Sequence, residues 1–229
     1  MATTTTELSE AADGPLPELS GPAALSERTR RLREIVLAEG WNYTERSLLI
    51  AESLRATEGE PFIQVRAAKA VAHLLAEMPV LIREGELLVG WHPNTRPEGE
   101  RAEQVRAADA YIAQQGWRTW CSEGHLAPDY RTVLHCGLDG VLRRLEEAAA
   151  KLDPEDASTA AKRVFYQAAR IALEGMIHFI ERYAALAQQM ATTTDDPAWA
   201  EELRQIAHTC AHIAHHPART TREALQLSW

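Results

Sequence analysis

The chain is poor in positive charge, cysteine and aromatic residues, and it has no long apolar run. Its 229 residues hold 24 lysines and arginines against 33 aspartates and glutamates, a formal net charge of -9. That balance argues against a nucleic-acid backbone or an anionic membrane as partner, since both reward clustered cations. The three cysteines, Cys121, Cys136 and Cys210, show no Cys-x-x-Cys spacing. They read as reduced thiols rather than as a disulfide frame or a zinc ribbon. No window approaches the roughly 20 apolar residues of a membrane span. No basic residue precedes Arg28, and no signal-peptide core stands before it. A cytoplasmic location is the expectation. A G-x-S-x-G elbow, a P-loop and a dinucleotide glycine fingerprint are all missing, which removes the common marked catalytic classes.

What the chain does have is helical periodicity. At this length one domain is expected, large enough to bury a core without staples. Residues 1–25, rich in Thr, Ser, Ala, Gly and Pro, read as a disordered tail, and residues 26–229 as the domain. Apolar spacing marks helices over 28–39, over 44–57, from Pro61 with Phe62, Val65, Ala68, Ala72 and Leu75 on one face, and over 100–115 with Ala102, Val105, Ala108 and Ile112 inward. Residues 79–90 change period. Two short apolar runs flank Glu84-Gly85, so one small β-hairpin is expected near residues 80–89. Residues 116–127 look irregular, the kind of loop that often carries function.

Pro128 opens a further helix whose stripe is Leu134, Leu138, Val141, Leu145 and Ala148. Asp153-Pro154 is a cap followed by proline, predicting the start of the longest helix, to about Met190. Its second half is apolar on every side, through Ile171, Met176, Phe179, Ile180 and Tyr183. Such a helix is either central or covered by protein from elsewhere. Asp196-Pro197 repeats the start signal, and Thr220-x-x-Glu223 forms a capping box for a last helix. The apolar end at Trp229, two turns into that helix, reads as a cut chain. The fold class is mainly α.

Few residue clusters suggest chemistry. His208, His212 and His215 or His216 lie a helical turn apart, a spacing that suits zinc. The same residues suit a polar helix end, where imidazoles are favourable, and no metal site is assigned. Cys121 stands near His125 in a loop, whereas Cys136 and Cys210 fit buried structural thiols. Glu174 and His178, one turn apart inside the apolar helix, read as a satisfied buried pair.

Six ordered motifs carry a family resemblance. They are Glu45-Arg46-x-x-x-Ile50-x-Glu52-Ser53, Thr57-Glu58-Gly59-Glu60-Pro61, Met78-Pro79-Val-x-Ile82-x-x-x-Glu86-Leu-Leu-Val89-Gly90, Gly124-His125-Leu-Ala-Pro-Asp129-Tyr130-x-x-Val-Leu134, Glu181-Arg182-Tyr183-Ala184 and Pro217-x-Arg219-Thr220-x-x-Glu223-Ala-Leu-Gln226-x-x-Trp229. Together they resemble the N-terminal region of the pyruvate formate-lyase-like glycyl radical enzymes, over nearly all of residues 26–229. The resemblance implies the helical N-terminal portion of a fold whose members are several-fold longer and act as dehydratases or lyases. In the family, a glycyl radical installed by a separate S-adenosylmethionine-dependent iron–sulfur activase generates a thiyl radical on a mid-chain cysteine.

Departures from the family pattern set the limits. The chain has neither the Gly-Cys-x-Glu of the thiyl cysteine nor an Arg-Val-x-Gly radical loop. No catalytic residue is therefore carried over, and no cofactor is expected in this chain. One position transfers: His125 matches the histidine that in the diol-dehydratase branch hydrogen-bonds a substrate hydroxyl. The alternative is a loop histidine that ties down the turn before Pro128. The segment between Trp91 and Trp120 is shorter than in most members, so a substrate is not inherited. The resulting expectation is the N-terminal part of a glycyl radical dehydratase or lyase, inactive alone. A second chain with the catalytic barrel, or a homo-oligomer, would be its partner. The alternative is a non-catalytic helical scaffold or oligomerising protein derived from that family, and a metal-binding helical module comes third.

Overall fold

A computed structural model describes residues 25–39, 43–92, 94–117 and 128–229. The expected tail, apart from Leu25, lies outside these residues, as do His125 and Cys121. Among the described residues eight α-helices are formed: α1 (Glu27–Glu39), α2 (Arg46–Ala56), α3 (Ile63–Glu77), α4 (Gly99–Gln114), α5 (Tyr130–Ala149), α6 (Ala160–Thr193), α7 (Pro197–Ile213) and α8 (Thr221–Ser228). None is long and apolar enough to cross a membrane.

The 34-residue α6 is the axis, with its most extensive packing against α3 on one side and α7 on the other. Small residues let these helices approach closely. A Cβ added to Gly175 of α6 would lie 2.8 Å from the Cα of Ala72 in α3. Val65 and Ala68 of α3 extend this seam against Ala168 of α6. On the opposite side, Tyr183, Ala187 and Ala191 pack with Leu203, Ile206 and Cys210 of α7, and Leu203 is wholly buried. Truncating such a leucine costs about 2–5 kcal/mol. The all-round apolar character of α6 is thus accounted for on three sides, the third being α5 through Leu138 and Ile177. The pair α2–α4 has its own core of Ala51, Leu54, Ala108 and Ile112, against which Trp117 packs.

Helix α1 buries no residue and is tied on by ion pairs, Arg28 to Glu202 at 2.5 Å and Arg31 to Glu84 at 2.9 Å. Exposed pairs of this kind contribute little to stability.

Three sequence expectations need correction. The β-hairpin near residues 80–89 does not form, and no strand exists among the described residues. The only ladder contact there is an isolated parallel bridge between Tyr43 and Thr95. The reason is that the backbone of 78–90 finds other partners. Glu86 closes its own turn, accepting from the Arg83 N–H at 3.0 Å, while its N–H donates to the Arg83 carbonyl. The Arg182 guanidinium of α6 takes the Leu75 and Met78 carbonyls. Val89 bonds both of its polar backbone groups to the side chain of Gln226.

The second correction is the start of α6. Asp153-Pro154 forms a turn, with the Asp153 side chain accepting from Glu155 N–H at 2.9 Å. Asp156 then caps a 3-10 turn over Ala157–Thr159, and the α-helix begins only at Ala160. The Arg163 guanidinium locks the turn through the Asp153 carbonyl at 2.8 Å.

The third is the pair Glu174 and His178, which is exposed rather than buried. Glu174 meets Arg170 at 3.1 Å, and His178 lies 3.8 Å from Glu181. Both sit on the solvent side of α6, so neither paid a desolvation cost that would require the other.

Candidate functional site

A long apolar cleft opens where α3, α6, the start of α5 and α8 meet. It consists of two cavities of about 310 and 370 Å³ that share Pro128, Tyr130, Met176, Ile180 and Leu227. Val71 and Leu75 of α3 wall one end. Val89, Gly90, Tyr183 and Trp229 wall the other. Among the described residues, no lysine, arginine, aspartate, glutamate or histidine lines either cavity.

Each wall is positioned by local sequence. Asp129 caps α5: its carboxylate accepts from Thr132 N–H at 3.1 Å and Thr132 Oγ1 at 2.6 Å. These bonds hold it below the usual carboxylate range. The cap directs Tyr130 into the cleft. The Thr220–Glu223 capping box starts α8 and sets Leu227 and Trp229 on the opposite rim. Gly90, at φ +129°, lets the chain pass Trp229, since an added Cβ would lie 3.2 Å from the indole. At the floor, burial pushes the Tyr183 phenol up to about 12, and the Cys210 thiol likewise to about 12. Both remain protonated at neutral pH. The described walls can therefore hold apolar surface, and none of their residues supplies an acid, a base or a thiolate.

Four of the six motifs read in the sequence line this one cleft. Val89 and Gly90 come from the Met78–Gly90 motif, Pro128 and Tyr130 from Gly124–Leu134. Tyr183 comes from Glu181–Ala184, and Gln226 and Trp229 from the last. The Glu45–Ser53 motif instead builds α2, where Ser53 is buried. In the next motif, Thr57 caps the end of α2 and Glu60 pairs with Lys69 at 3.0 Å.

His125, the one site residue expected from sequence, lies outside the described residues. The described residues that flank it in sequence are Trp117, on the α2–α4 core, and Pro128, at the cleft. The other histidines do not converge. His212 Nε2 donates to the Pro217 carbonyl at 2.9 Å, and His208 accepts from Arg219 at 3.5 Å. His215 sits between Asp139 at 3.2 Å and Glu181 at 3.0 Å. Among the described residues no three His, Cys, Asp or Glu side chains gather into a metal-holding group. Cys136 is half-buried, its thiol donating to the Thr132 carbonyl at 3.0 Å.

Gln226 and Met176 had not been singled out for a site role. A glutamine between Leu225 and Leu227 in a short terminal helix is the only local signal for the first. The second is, by periodicity, one more apolar residue of α6.

Comparison with known proteins follows this geometry. The family model described as pyruvate formate lyase-like matches residues 23–103 and 98–229. The (2S)-3-sulfopropanediol dehydratase of Klebsiella oxytoca is 36% identical over 116 residues, 51% of this chain and 14% of that enzyme. The glycerol-bound B12-independent glycerol dehydratase from Clostridium butyricum superposes with a TM-score of 0.81 at 25% identity, over 92% of this chain and 34% of that one. A glycyl radical enzyme from Archaeoglobus fulgidus gives a TM-score of 0.72 at 27% identity, over 89% and 33%. The chain thus spans about a third of the length of these solved relatives. With the family model matched along nearly its whole helical body, and with glycyl radical dehydratases and lyases as its relatives, this chain belongs to the pyruvate formate lyase-like family.

Proposed function

We propose that this chain is the helical N-terminal part of a glycyl radical dehydratase or lyase, and that it works only together with the catalytic part of such an enzyme. The observation that carries the reading is the convergence of four family motifs on one uncharged cleft. Motif residues gathered there fit a surface built to receive something, in a family whose chemistry lies in the other two thirds of its length.

The residues present do not fit a radical relay. No Gly-Cys-x-Glu occurs in the sequence. Cys210 is a buried protonated thiol, and Cys136 is engaged with a helix carbonyl. No reaction step is therefore assigned to this chain. Its own contribution would be binding and exclusion of water. Protecting a radical intermediate from solvent is what an enclosing apolar wall supplies. His125 is the candidate substrate contact, as a neutral imidazole able to bond a hydroxyl of a small diol-type substrate. Such a substrate is in keeping with the (2S)-3-sulfopropanediol and glycerol named for two relatives. The family model matches in two stretches that overlap at residues 98–103, inside the segment between Trp91 and Trp120 that the resemblance implies is shorter here than in most members. Pocket dimensions, and with them substrate choice, are expected to differ there.

The test begins with the DNA downstream of codon 229 in the source strain. An open frame, or a neighbouring one, encoding Gly-Cys-x-Glu and a C-terminal glycine loop is expected. That polypeptide, activated under anoxic conditions, should show a glycyl radical signal and diol turnover only when residues 1–229 are present. His125→Ala should then raise KM at least tenfold. Absence of any such frame would overturn the reading. The second reading, a scaffold that oligomerises through the cleft, would then be tested by sedimentation. It is favoured by the same exposed apolar surface.

A further inference from the structure

Helix α1 carries its charges in the reverse of the order that a helix prefers. After Glu27, its first half holds Arg28, Arg30, Arg31 and Arg33, and its last residue is Glu39. Helix dipoles favour anions at the start and cations at the end. At 13 residues α1 is also marginal as a free helix. It therefore owes its order to what it touches, and what it touches is mainly charge. No side chain of α1 is buried, and Leu32, Ile35 and Val36 reach only partial burial. Among the described residues α1 packs extensively against no other helix.

Three ion pairs join it to two neighbours. Arg28 meets Glu202 of α7 at 2.5 Å. Arg31 forks onto both carboxylate oxygens of Glu84, at 2.9 and 3.1 Å. Glu39 takes Arg83 at 2.5 Å, whose guanidinium also reaches Glu86 at 3.2 Å. The order of signs fixes the register. A slide of one helical turn either way would bring Glu27 or Glu34 toward Glu84 in place of Arg31, setting like charges together. The stem of Arg28 lies over Gly85, its Cγ 3.6 Å from where a Cβ would stand. Between α1, Glu84, Gly85 and the first turns of α7 is a cavity of about 210 Å³ with Trp199 on its wall. Two of the pairs thus end on the turn at residues 83–86 and the third on α7, so α1 bridges them.

We infer that α1 is an electrostatic strap, which clasps the Arg83–Glu86 turn to the N-terminal end of α7 and lifts as ionic strength rises, uncovering Trp199. This goes beyond the functional reading above and does not depend on it. An exposed ion pair shifts such an equilibrium by at most about fivefold, and the screening length shrinks from about 10 Å at 0.1 M salt to about 3 Å at 1 M. The strap therefore responds to salt where the packed helices do not. Lifting it also loosens the turn through which the chain reaches Val89 and Gly90 on the cleft wall.

The experiment compares the 229-residue chain at about 0.02 M and about 0.5 M sodium chloride. Amide exchange within residues 27–39 should quicken about tenfold or more, while the amides of α6 keep their rates. Hydroxyl-radical oxidation of Trp199 should rise about threefold or more over the same range. Arg31→Glu should produce both changes at low salt, and adding Glu84→Arg should restore protection. Arg170→Glu, which removes a pair within α6, should leave α1 as in the wild type. An α1 exchange rate unmoved by salt would overturn the proposal. So would failure of Glu84→Arg to rescue, which would leave the partial burial of Leu32, Ile35 and Val36 as what holds the helix. Faster α1 exchange with Trp199 still protected would overturn it too, since the helix would then be fraying in place.

Discussion

Gln226 pairs with the backbone of Val89 as a strand would: its Oε1 accepts from the Val89 N–H at 2.8 Å, and its Nε2 donates to the Val89 carbonyl at 2.7 Å. Val89 is 2% exposed, so neither backbone group has water as an alternative. Gln226→Leu should leave a buried donor and acceptor unpaired and cost about 2–4 kcal/mol. Denaturant melts would read the loss. Amide exchange should show α8 and residues 87–90 opening together, because this side chain is what joins them.

Gly137 breaks α5 at φ 67° and ψ 176°, a conformation that L side chains rarely adopt. A Cβ there would meet the His216 carbonyl carbon at 2.5 Å and Pro217 N at 2.7 Å. Gly137→Ala should destabilise by about 3 kcal/mol or more, since the crowding atoms are backbone and have nowhere to go. A thermal melt lowered by only a degree or two would show the α5 bend to be adjustable.

The His215 imidazole is shifted by opposing influences. Partial burial favours its neutral form, but hydrogen bonds to Asp139 and Glu181 outweigh this and raise it above the usual 6.5. Glu181 also faces His178, while His216 is the neighbouring ring and itself packs against His212. A raised value means that the charged clamp contributes fully below pH 6.5 and is lost as pH rises through the folded-state value. At 38% side-chain exposure the effect should stay under about 1 kcal/mol. Tm should therefore fall on going from pH 6 to alkaline pH, and His215→Gln should flatten that slope.

Glu223 moves in the opposite direction. The Arg219 guanidinium at 2.7 Å, working against burial, and the Arg219 N–H at 2.6 Å pull its carboxyl down to about 2. The stability it contributes is present above about pH 4.5 and is lost as pH falls toward 2. Glu223→Gln should cost about 1–2 kcal/mol at pH 7 and remove part of the acid-induced loss. An acid titration unchanged from wild type would mean that Glu223 is protonated earlier than its partners imply.

Much of this architecture is legible locally. Asp196-Pro197 and Thr220-x-x-Glu223 announce their helices because caps act within three residues. Val105, Ala108 and Ile112 are buried on α4 at the spacing that predicted it. The failures are non-local. Residues 80–89 have the pattern of two strands, but Val89 bonds Gln226, about 140 positions away, and just ahead of them the Met78 carbonyl is taken by Arg182, about 100 positions away. Phe62, expected on the inner face of α3, is instead its extended N-cap and 45% exposed. The cleft was invisible for the same reason. Each motif residue was readable in its own segment, and nothing in any one segment says that Gly90, Tyr130, Tyr183 and Trp229 share a wall.

The contact between Gly175 and Ala72 has a consequence for recognition kinetics. Their immediate neighbours in sequence, Met176 and Val71, both open onto the cleft. With no room for a Cβ between Gly175 and Ala72, and with Arg182 plugging the carbonyl end of α3, these two residues sit on one tightly packed seam. A surface that is rigid before anything touches it gives up little entropy on binding. Variants that loosen this seam, such as Gly175→Leu, should slow capture of a partner even where every side chain of the cleft is retained.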